Sequence, residues 1–484
     1  MKLTSQHLLV LAWLGTTVAQ AQSPNPFKHV VVVVQENRTP DNLFHGLLTW
    51  PGINPNNYNI KTSGKNSKGQ RIPLAPVPLG IHYDLSHSHA AFLAMYDGGK
   101  MDGADKIPCR PAIGPCPANY QFKYVANYHH ILDPYLTLAA QYGWANYMFQ
   151  TNQGPSFPAH QFLFGGTSAP SATEDARGIF IAENSVAPKG GTAVTDTGCL
   201  APLNEWNWLI GVNSDGSETK LRNNPLGILC FSRETMAKLL DDAGFTWKYY
   251  APTSKNPNGS NPGGSLWNAP NSIREICQPD SQYTQCTGPE WAANVDLKPS
   301  DVLKDIGACR LANVSWVTPI GQNSDHAGNP TRTGGPSWVA SIVNAIGNDK
   351  TCDGGAGYWS DTAILITWDD WGGWYDHAKP IILPGSQGDY QYGFRVPLLV
   401  VSAYTRPGLV SNTRLDFGSI LKFIESVFNI PEGSLRFADE RSRAGLREFF
   451  DFTKSPRHFK TIAAPLDANF FINDERPPEP PDDD

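Results

Sequence analysis

The stretch Lys28-His-Val-Val-Val-Val-Val-Gln-Glu-Asn-Arg38 sets the fold class of this 484-residue chain. It is short, apolar on both faces and rich in β-branched residues, which is typical of a strand buried inside a parallel sheet. The same pattern predicts strands at 363–367 and 396–402 and, more weakly, at 246–251 and 314–318.

Helical periodicity lies between these strands, at residues 131–142, 232–243, 338–346 and 419–428. Strands that alternate with helices over more than 400 residues are typical of one large α/β domain. The sequence therefore predicts a mainly parallel sheet with helices on both faces.

The composition excludes several classes of protein. The chain is 40% hydrophobic and 17% charged, with 44 Gly and 40 Pro, which indicates a loop-rich globular protein and not a coiled coil or a disordered chain. Six acidic residues against one arginine in the last eleven positions contribute −5 of the net charge of −7. Because no basic stripe is present, nucleic acid is not an expected partner.

Residues 1–21 have the features of a secretory signal peptide: Lys2, an apolar segment at 8–14, and the small-x-small ending Ala19-Gln-Ala21. A membrane anchor is the alternative, but the apolar segment is too short to cross a bilayer. Because no later segment is long and apolar enough, we expect no transmembrane segment. The expected location is extracellular or periplasmic.

Eight cysteines in an exported chain predict disulfides. The first pairs expected are Cys109–Cys116 and Cys277–Cys286, which close short polar loops; the other pairings stay open. We expect a catalytic domain at 22–455, with insertions at about 173–311 where the sequence turns polar and rich in Gly, Pro and Asn. Residues 456–484 form an extension whose acidic, proline-rich end is expected to be disordered.

Polar side chains follow two of the predicted strands directly. Glu36 and Asn37 come after the first strand, and Asp369 and Asp370 come after the strand at 363–367. Ligands of open α/β sheets bind at the carboxyl ends of the strands, and adjacent buried aspartates need a cation. Turn or helix capping is the alternative. These oxygen ligands predict one divalent ion: Mg, Ca, Mn or Zn.

Ser156 lies between two prolines in Gly154-Pro-Ser-Phe-Pro158, ahead of an apolar segment. This pattern predicts a rigid turn into a helix, where the helix dipole favours attack on a phosphate and stabilises the resulting anion. An ordinary helix-capping serine is the alternative. The second glycine of the Gly-x-Ser-x-Gly elbow is absent, which disfavours a carboxylester hydrolase.

Four histidines fall near glycines or just beyond predicted strands: His87, His89, His326 and His377. They are candidates for proton transfer or for binding of the substrate. A hydrogen-bonded structural histidine is the alternative for each of them.

Five separated segments together resemble the secreted phosphoesterases that unite bacterial phospholipases C with a group of acid phosphatases. The segments are 29–46, 152–168, 324–326, 367–377 and 392–408, and they follow the family's order. The resemblance implies an alkaline-phosphatase-like three-layer α/β/α sandwich with a mainly parallel sheet and long loop insertions.

The resemblance also implies roles for individual residues. One divalent ion is expected on Glu36, Asn37, Asp369, Asp370 and Ser156. Ser156 is the expected nucleophile, with His87 and His326 contacting phosphoryl oxygens or assisting the leaving group, and His160 is expected to bind the substrate. Two departures stand out: Asp416-Phe-Gly-Ser419 lacks the family's usual histidine, and no histidine occurs between His160 and His326.

The leading hypothesis is an acid phosphatase that acts on small phosphorylated substrates through a phosphoseryl intermediate. Ser156 favours it because the family's lipases typically have threonine there, and the sequence stops soon after residue 430, where those lipases commonly carry β-rich regions. A phospholipase C acting on phospholipids is the first alternative, and a catalytically silent secreted binding protein is the second. A sulfatase is disfavoured because the Cys/Ser-x-Pro-x-Arg motif is missing.

Overall fold

The computed structural model describes residues 25–184, 198–201, 207–213, 217–222, 229–252, 266–380, 392–477 and 479. The predicted signal peptide and the last five residues lie outside this part of the chain. The described strands are β1 (His29–Gln35), β2 (Ser63–Lys65), β3 (Arg71–Pro73), β4 (Ala75–Val77), β5 (Tyr83–Leu85), β6 (Cys109–Pro111), β7 (Lys123–Val125), β8 (Gly143–Phe149), β9 (Ile179–Ile181), β10 (Trp208–Val212), β11 (Glu218–Arg222), β12 (Trp247–Tyr250), β13 (Val295–Asp296), β14 (Val314–Val317), β15 (Thr362–Trp368), β16 (Leu398–Ser402) and β17 (Val410–Asp416).

All four helices predicted from periodicity are present, with ends displaced by up to four residues. The described α-helices are α1 (Pro40–Leu43), α2 (His89–Tyr96), α3 (Asp133–Gln141), α4 (Ser156–Gly165), α5 (Ala172–Ala176), α6 (Met236–Asp242), α7 (Arg274–Cys277), α8 (Pro289–Asn294), α9 (Asp301–Gly307), α10 (Gly335–Asn348), α11 (Phe417–Val427), α12 (Ala438–Arg441) and α13 (Ala468–Ile472). None of them combines the length and the apolar character that a bilayer crossing requires.

The main sheet has the strand order β13-β12-β14-β1-β15-β16-β8-β17. The neighbours among the first five strands of this order, β13, β12, β14, β1 and β15, pair in parallel, and so do β8 and β17. Only β16 is antiparallel to its neighbours in this sheet, because it begins at the edge where β15 ends. All five predicted strands are present, and the prediction of a mainly parallel sheet is confirmed.

Helices cover both faces of this sheet. On one face α10 contacts α3, α9 and α13, and on the other α4 contacts α6 and α11. Trp368 of β15 packs edge-on against Tyr135 of α3, and Trp316 of β14 packs edge-on against Phe164 of α4, each with ring centroids 5.2 Å apart. The predicted three-layer α/β/α sandwich is confirmed.

The region predicted as loop insertions contributes to the main sheet. Strands β12 and β13 extend its edge beyond β14, while β9, β10 and β11 form a separate antiparallel sheet. Strand β12 is the one predicted at 246–251, but Gly-, Pro- and Asn-rich sequence concealed the short strands β9, β10, β11 and β13. Residues 173–311 therefore form part of the main sheet as well as segments outside it.

Four disulfides join all eight cysteines: Cys109–Cys116, Cys199–Cys230, Cys277–Cys286 and Cys309–Cys352. The two pairs predicted from sequence are among them. Four disulfides are typical of a protein that folds in an oxidising compartment.

The C-terminal extension packs on α10. Phe471 of α13 contacts Trp338 with ring centroids 5.3 Å apart, and Asn344 donates a hydrogen bond to the carbonyl of Ile462 at 2.8 Å. In the acidic tail, the Glu479 carboxylate lies 2.6 Å from Arg332 Nε.

Candidate active site

The register of β1 and β15 determines where the acidic motifs lie. Gln35 pairs with Trp368, and both side chains lie on the face covered by α3 and α10, because Trp368 packs on Tyr135 and Gln35 contacts the carbonyl of Gly335. Side chains alternate along a strand, so the next pair points to the opposite face. Glu36 and Asp369 are that pair, and the opposite face is the one where α4 begins with Ser156.

Two tight backbone contacts lock the acidic motifs together. Asn37 has φ +61°, a left-handed conformation that asparagine tolerates, and its N–H donates to Asp369 Oδ1 at 3.1 Å. Gly372 has φ +62°, and a Cβ there would lie 2.4 Å from the Asn37 carbonyl oxygen. The glycine after the aspartate pair is therefore needed for the close approach of the two segments.

Five buried residues form what we call the oxygen cluster: Glu36, Asn37, Ser156, Asp369 and Asp370. Ser156 Oγ lies 3.3 Å from Asp370 Oδ2, 3.4 Å from Glu36 Oε2 and 3.5 Å from Asn37 Oδ1. The Asn37 side-chain amide also lies 2.9 Å from Asp369 Oδ1 and 3.2 Å from Glu36 Oε2. A hydroxyl carries one hydrogen, so Ser156 cannot satisfy all three oxygens around it.

The electrostatics of the cluster fit a divalent ion. Burial raises the pKa of Glu36 well above its usual range, and the charges of Asp369 and Asp370 raise it further. Among the described residues, no lysine or arginine contacts Glu36 or Asp369. Ligand atoms of Glu36, Asp369 and His160 lie within 4.8 Å of one another. Carboxylate, amide and hydroxyl oxygens suit Mg, Ca or Mn, and an added imidazole also suits Zn.

The Asn37 amide connects the oxygen cluster with two histidines. His87 Nδ1 lies 2.8 Å from the Leu85 carbonyl and His326 Nδ1 lies 2.8 Å from the Ala327 carbonyl. Their Nε2 atoms lie 3.1 Å and 2.8 Å from the Asn37 amide, so both rings present Nε2 to the site.

His160 lies one turn after Ser156 on α4, on the same face of the helix. Its Nε2 is 3.0 Å from Glu36 Oε1, and its Nδ1 is 3.5 Å from the Tyr249 hydroxyl. Burial lowers the pKa of His160 to about 4, so the ring is neutral near pH 7 and its Nε2–H can donate to Glu36. The structure thus places His160 against a candidate metal ligand, and its predicted role in substrate binding stays a prediction.

The other sequence candidates lie outside the oxygen cluster. His89 contacts the Gln153 carbonyl and Glu218 at 2.5 Å and 2.6 Å. Asp416 caps α11 by accepting from the Ser419 N–H at 2.9 Å, a structural role that needs no histidine. His377 Nδ1 lies 2.7 Å from Asp41 Oδ2.

His377 belongs to a second buried group, which we call the arginine cluster: Asp41, Asp376, His377 and Arg395. Arg395 donates to both carboxylate oxygens of Asp376 at 2.8 Å and to Asp41 at 3.3 Å. The carboxylates are thus compensated by a guanidinium.

Three residues that lie beside the site were not predicted from the sequence. Asn184 accepts from the Phe157 N–H at 2.9 Å, Tyr249 contacts His160, and Arg332 Nη1 lies 2.9 Å from His326 Nδ1. Asn184 and Tyr249 lie in the region interpreted as insertions, and no motif marks any of the three. Only the four-residue spacing of Ser156 and His160 could have predicted the position of His160 from sequence.

A buried serine hydroxyl beside carboxylates and imidazole nitrogens is typical of hydrolases that act on phosphoric esters. The chain belongs to the Phosphoesterase family, whose model matches residues 27–431. It is thus a hydrolase of phosphoric ester bonds.

Several curated relatives are similar over much of the chain. Phospholipase C A of Mycobacterium tuberculosis is 24% identical over 496 residues, which covers 92% of this chain and 83% of the relative. Hemolytic phospholipase C of Pseudomonas aeruginosa is 22% identical over 475 residues, 88% of this chain and 56% of the relative. A solved protein in the alkaline phosphatase superfamily from Vibrio parahaemolyticus superposes with a TM-score of 0.33 at 10% identity, covering 84% and 68% of the two chains.

Proposed function

We propose that the protein is a phospholipase C that cleaves phosphodiester bonds of phospholipids with Ser156 as nucleophile. Relatives named phospholipase C, matched over most of this chain, support a diester substrate over the phosphomonoester expected from sequence. The observation that carries the chemistry is the position of Ser156 Oγ, 3.3–3.5 Å from three oxygens of the cluster.

The cofactor we propose is one divalent ion held by the oxygen cluster. Such an ion, when bound, polarises the phosphoryl group and makes the Ser156 alkoxide accessible near neutral pH. Glu36 and Asp370 are the carboxylates nearest to the hydroxyl, and α4 directs its positive dipole end at the anion that forms.

The remaining steps use the chain's own residues. Ser156 Oγ attacks phosphorus, the bond from phosphorus to the leaving alcohol breaks, and Nε2 of His326 or His87 takes up the Ser156 proton and passes it to the alcohol. Water then attacks phosphorus from the side opposite Oγ and regenerates Ser156. The Nδ1 atoms of both histidines are engaged by backbone carbonyls, so only Nε2 is available for this transfer.

Phosphomonoester hydrolysis is the second candidate. Serine at position 156 favours it, because the lipases that the chain resembles typically have threonine at that position. The two activities share the same nucleophile and cluster, and only the substrate distinguishes them.

Three substrates separate the candidates: p-nitrophenyl phosphate, p-nitrophenyl phosphorylcholine and phosphatidylcholine vesicles, each assayed with added Mg, Ca, Mn or Zn. A phospholipase C hydrolyses the last two faster than the first, and a phosphatase shows the opposite preference. No hydrolysis of any of them by the wild type would favour a silent binding protein.

We also propose that the protein is exported and that residues 1–21 direct the export. The four disulfides support an oxidising destination. Mass spectrometry of the N-terminus of secreted protein tests this, and cleavage after Ala21 is the expected result.

A further inference from the structure

The first turn of α4 is capped by a side chain from a distant part of the chain. N–H groups at a helix start have no partner within the helix, and the residue before Ser156 is a proline that makes no side-chain cap. Asn184 fills this role, since its Oδ1 accepts from the Phe157 N–H at 2.9 Å. Gly154 permits the approach, because a Cβ there would lie 2.2 Å from the Ala182 carbonyl oxygen.

The nitrogen of the Asn184 amide, unlike its oxygen, makes no hydrogen bond within the described part of the chain. The side chain is 2% exposed, and its Nδ2 has no hydrogen-bond partner among the described residues. Leaving a buried amide donor unpaired is destabilising. Capping alone needs only Oδ1, so it does not account for an amide at this position.

The free donor belongs to an amide next to the reacting group, because Asn184 Oδ1 binds the N–H of Phe157, the residue that follows Ser156. N–H groups of the first turn point out of the helix start, so the Asn184 amide lies in front of α4 beside Ser156. We propose that Asn184 Nδ2 binds a non-bridging phosphoryl oxygen while Ser156 attacks. This inference rests on the proposed function and adds a substrate-binding residue to it.

Two substitutions separate phosphoryl binding from capping. Asn184→Asp keeps the oxygen that caps α4 and removes the donor, while Asn184→Ala removes both. We expect kcat to fall about 100-fold in each variant, with both p-nitrophenyl substrates affected alike. The melting temperature should fall only in Asn184→Ala.

Orthovanadate supplies a second readout that does not need turnover. It should raise the melting temperature of the wild type and of Ser156→Ala more than that of either Asn184 variant. Wild-type kcat and an unchanged vanadate shift in folded Asn184→Ala would overturn the inference and leave Asn184 as a helix cap. A wild type that hydrolyses nothing yet loses its vanadate shift in the Asn184 variants would overturn the proposed function alone.

A second inference comes from the acidic tail. The Glu479 carboxylate accepts from Arg332 Nε at 2.6 Å and from Asn329 and Thr331 at 3.1 Å. Arg332 in turn reaches the loop that carries His326, with Nη1 2.8 Å from the Ala327 carbonyl and 2.9 Å from His326 Nδ1. The Gln322 amide also donates to the Pro477 carbonyl at 2.7 Å.

These contacts link the tail to the reacting centre through one guanidinium. His326 Nε2 lies 2.8 Å from the Asn37 amide, so a shift of the ring displaces a group in contact with the oxygen cluster. We infer that Glu479 and Arg332 are positioning residues that fix the His326 ring. This inference also rests on the proposed role of His326.

The test uses Glu479→Gln with Glu475→Gln as the matched control, because Glu475 is an exposed carboxylate of the same tail. We expect kcat to fall about tenfold in Glu479→Gln, with KM nearly unchanged, and no change in the control. Arg332→Lys should recover part of the activity lost in Arg332→Ala.

In a His326→Asn background, Glu479→Gln should have no further effect on kcat, because both changes act through one ring. Equal effects in both backgrounds would overturn the inference. Unchanged kcat in His326→Asn alone would instead contradict the proposed role of His326.

Discussion

The oxygen cluster and the arginine cluster contain the same kind of residues but differ in how their charge is compensated. Two carboxylates of each cluster and one histidine have ligand atoms within 4.8 Å of one another, with His160 beside the oxygen cluster and His377 within the arginine cluster. In the arginine cluster, Asp376 receives a bidentate guanidinium, and Asp41 Oδ1 also accepts from the Lys61 N–H at 2.9 Å. In the oxygen cluster, carboxylate, amide and hydroxyl oxygens face one another.

The way in which the carboxylates are compensated distinguishes a candidate metal site from a structural ion-pair network. Buried carboxylates need a compensating positive charge or a proton, whatever their role. Where protein donors supply the compensation, the group stabilises the fold. Around Glu36 and Asp369 no lysine or arginine of the described chain supplies it, which is the condition that the proposed ion would meet.

The largest effect is expected from Ser156→Ala. Because the hydroxyl is the proposed nucleophile, the rate of hydrolysis should fall about 10⁴-fold or more, while the ion stays bound. Ser156→Thr keeps a hydroxyl and is the control, expected to retain measurable turnover. Near-normal turnover of Ser156→Ala would remove the covalent mechanism.

The arginine cluster should instead affect stability. Arg395→Met leaves two buried carboxylates without their partner and should lower the free energy of unfolding by about 3–5 kcal/mol, measured by urea denaturation. The double variant Arg395→Met/Asp376→Asn should recover part of this loss. The metal content of the folded fraction should not change in either variant, and a loss of metal would break the distinction between the clusters.

Removal of the ion by a chelator should make Asp369→Asn a stabilising substitution. In excess chelator the three carboxylates of the oxygen cluster repel one another, so Asp369→Asn should be more stable than the wild type by about 1–2 kcal/mol. Asp41→Asn should be less stable under the same conditions, because it weakens contacts with His377 and Arg395. Lower stability of metal-free Asp369→Asn than of metal-free wild type would contradict the account.

Asp325 shows the third means of compensation, a proton. Burial raises its pKa from 3.8 to about 7, although Tyr135 and Arg38 oppose the shift. Between these two values the native state binds a proton that the unfolded state does not, so this residue adds stability as the pH falls from 8 toward 4. Asp325→Asn should therefore show a smaller gain in the free energy of unfolding between pH 8 and pH 5. An identical slope would contradict the assignment.

The sequence predicted the centre of the fold and the neighbourhood of the site because both depend on local patterns. The run of valines marks β1, and period-two alternation carries Glu36 and Asp369 to one face. Spacing also predicted the two disulfides that close short loops. Cys199–Cys230 and Cys309–Cys352 close longer loops, so their pairing depends on tertiary contacts.

The parts that were missed depend on contacts between distant segments. The reversed direction of β16, the edge strand β13, and the neighbours Asn184 and Arg332 carry no motif of their own. His377 and His89 resembled site residues in sequence, but the fold pairs them with Asp41 and Glu218. A histidine beside glycines is therefore a weaker indicator than a carboxylate pair at the end of a buried strand.

Inductively coupled plasma mass spectrometry of the purified protein measures directly whether the oxygen cluster binds a divalent ion. We expect about one equivalent of a divalent ion in the wild type and in Asp41→Asn, and almost none in Asp369→Asn/Asp370→Asn. A wild type that binds no divalent ion under any loading condition, or an ion lost from Asp41→Asn and kept in the double variant, would contradict the account.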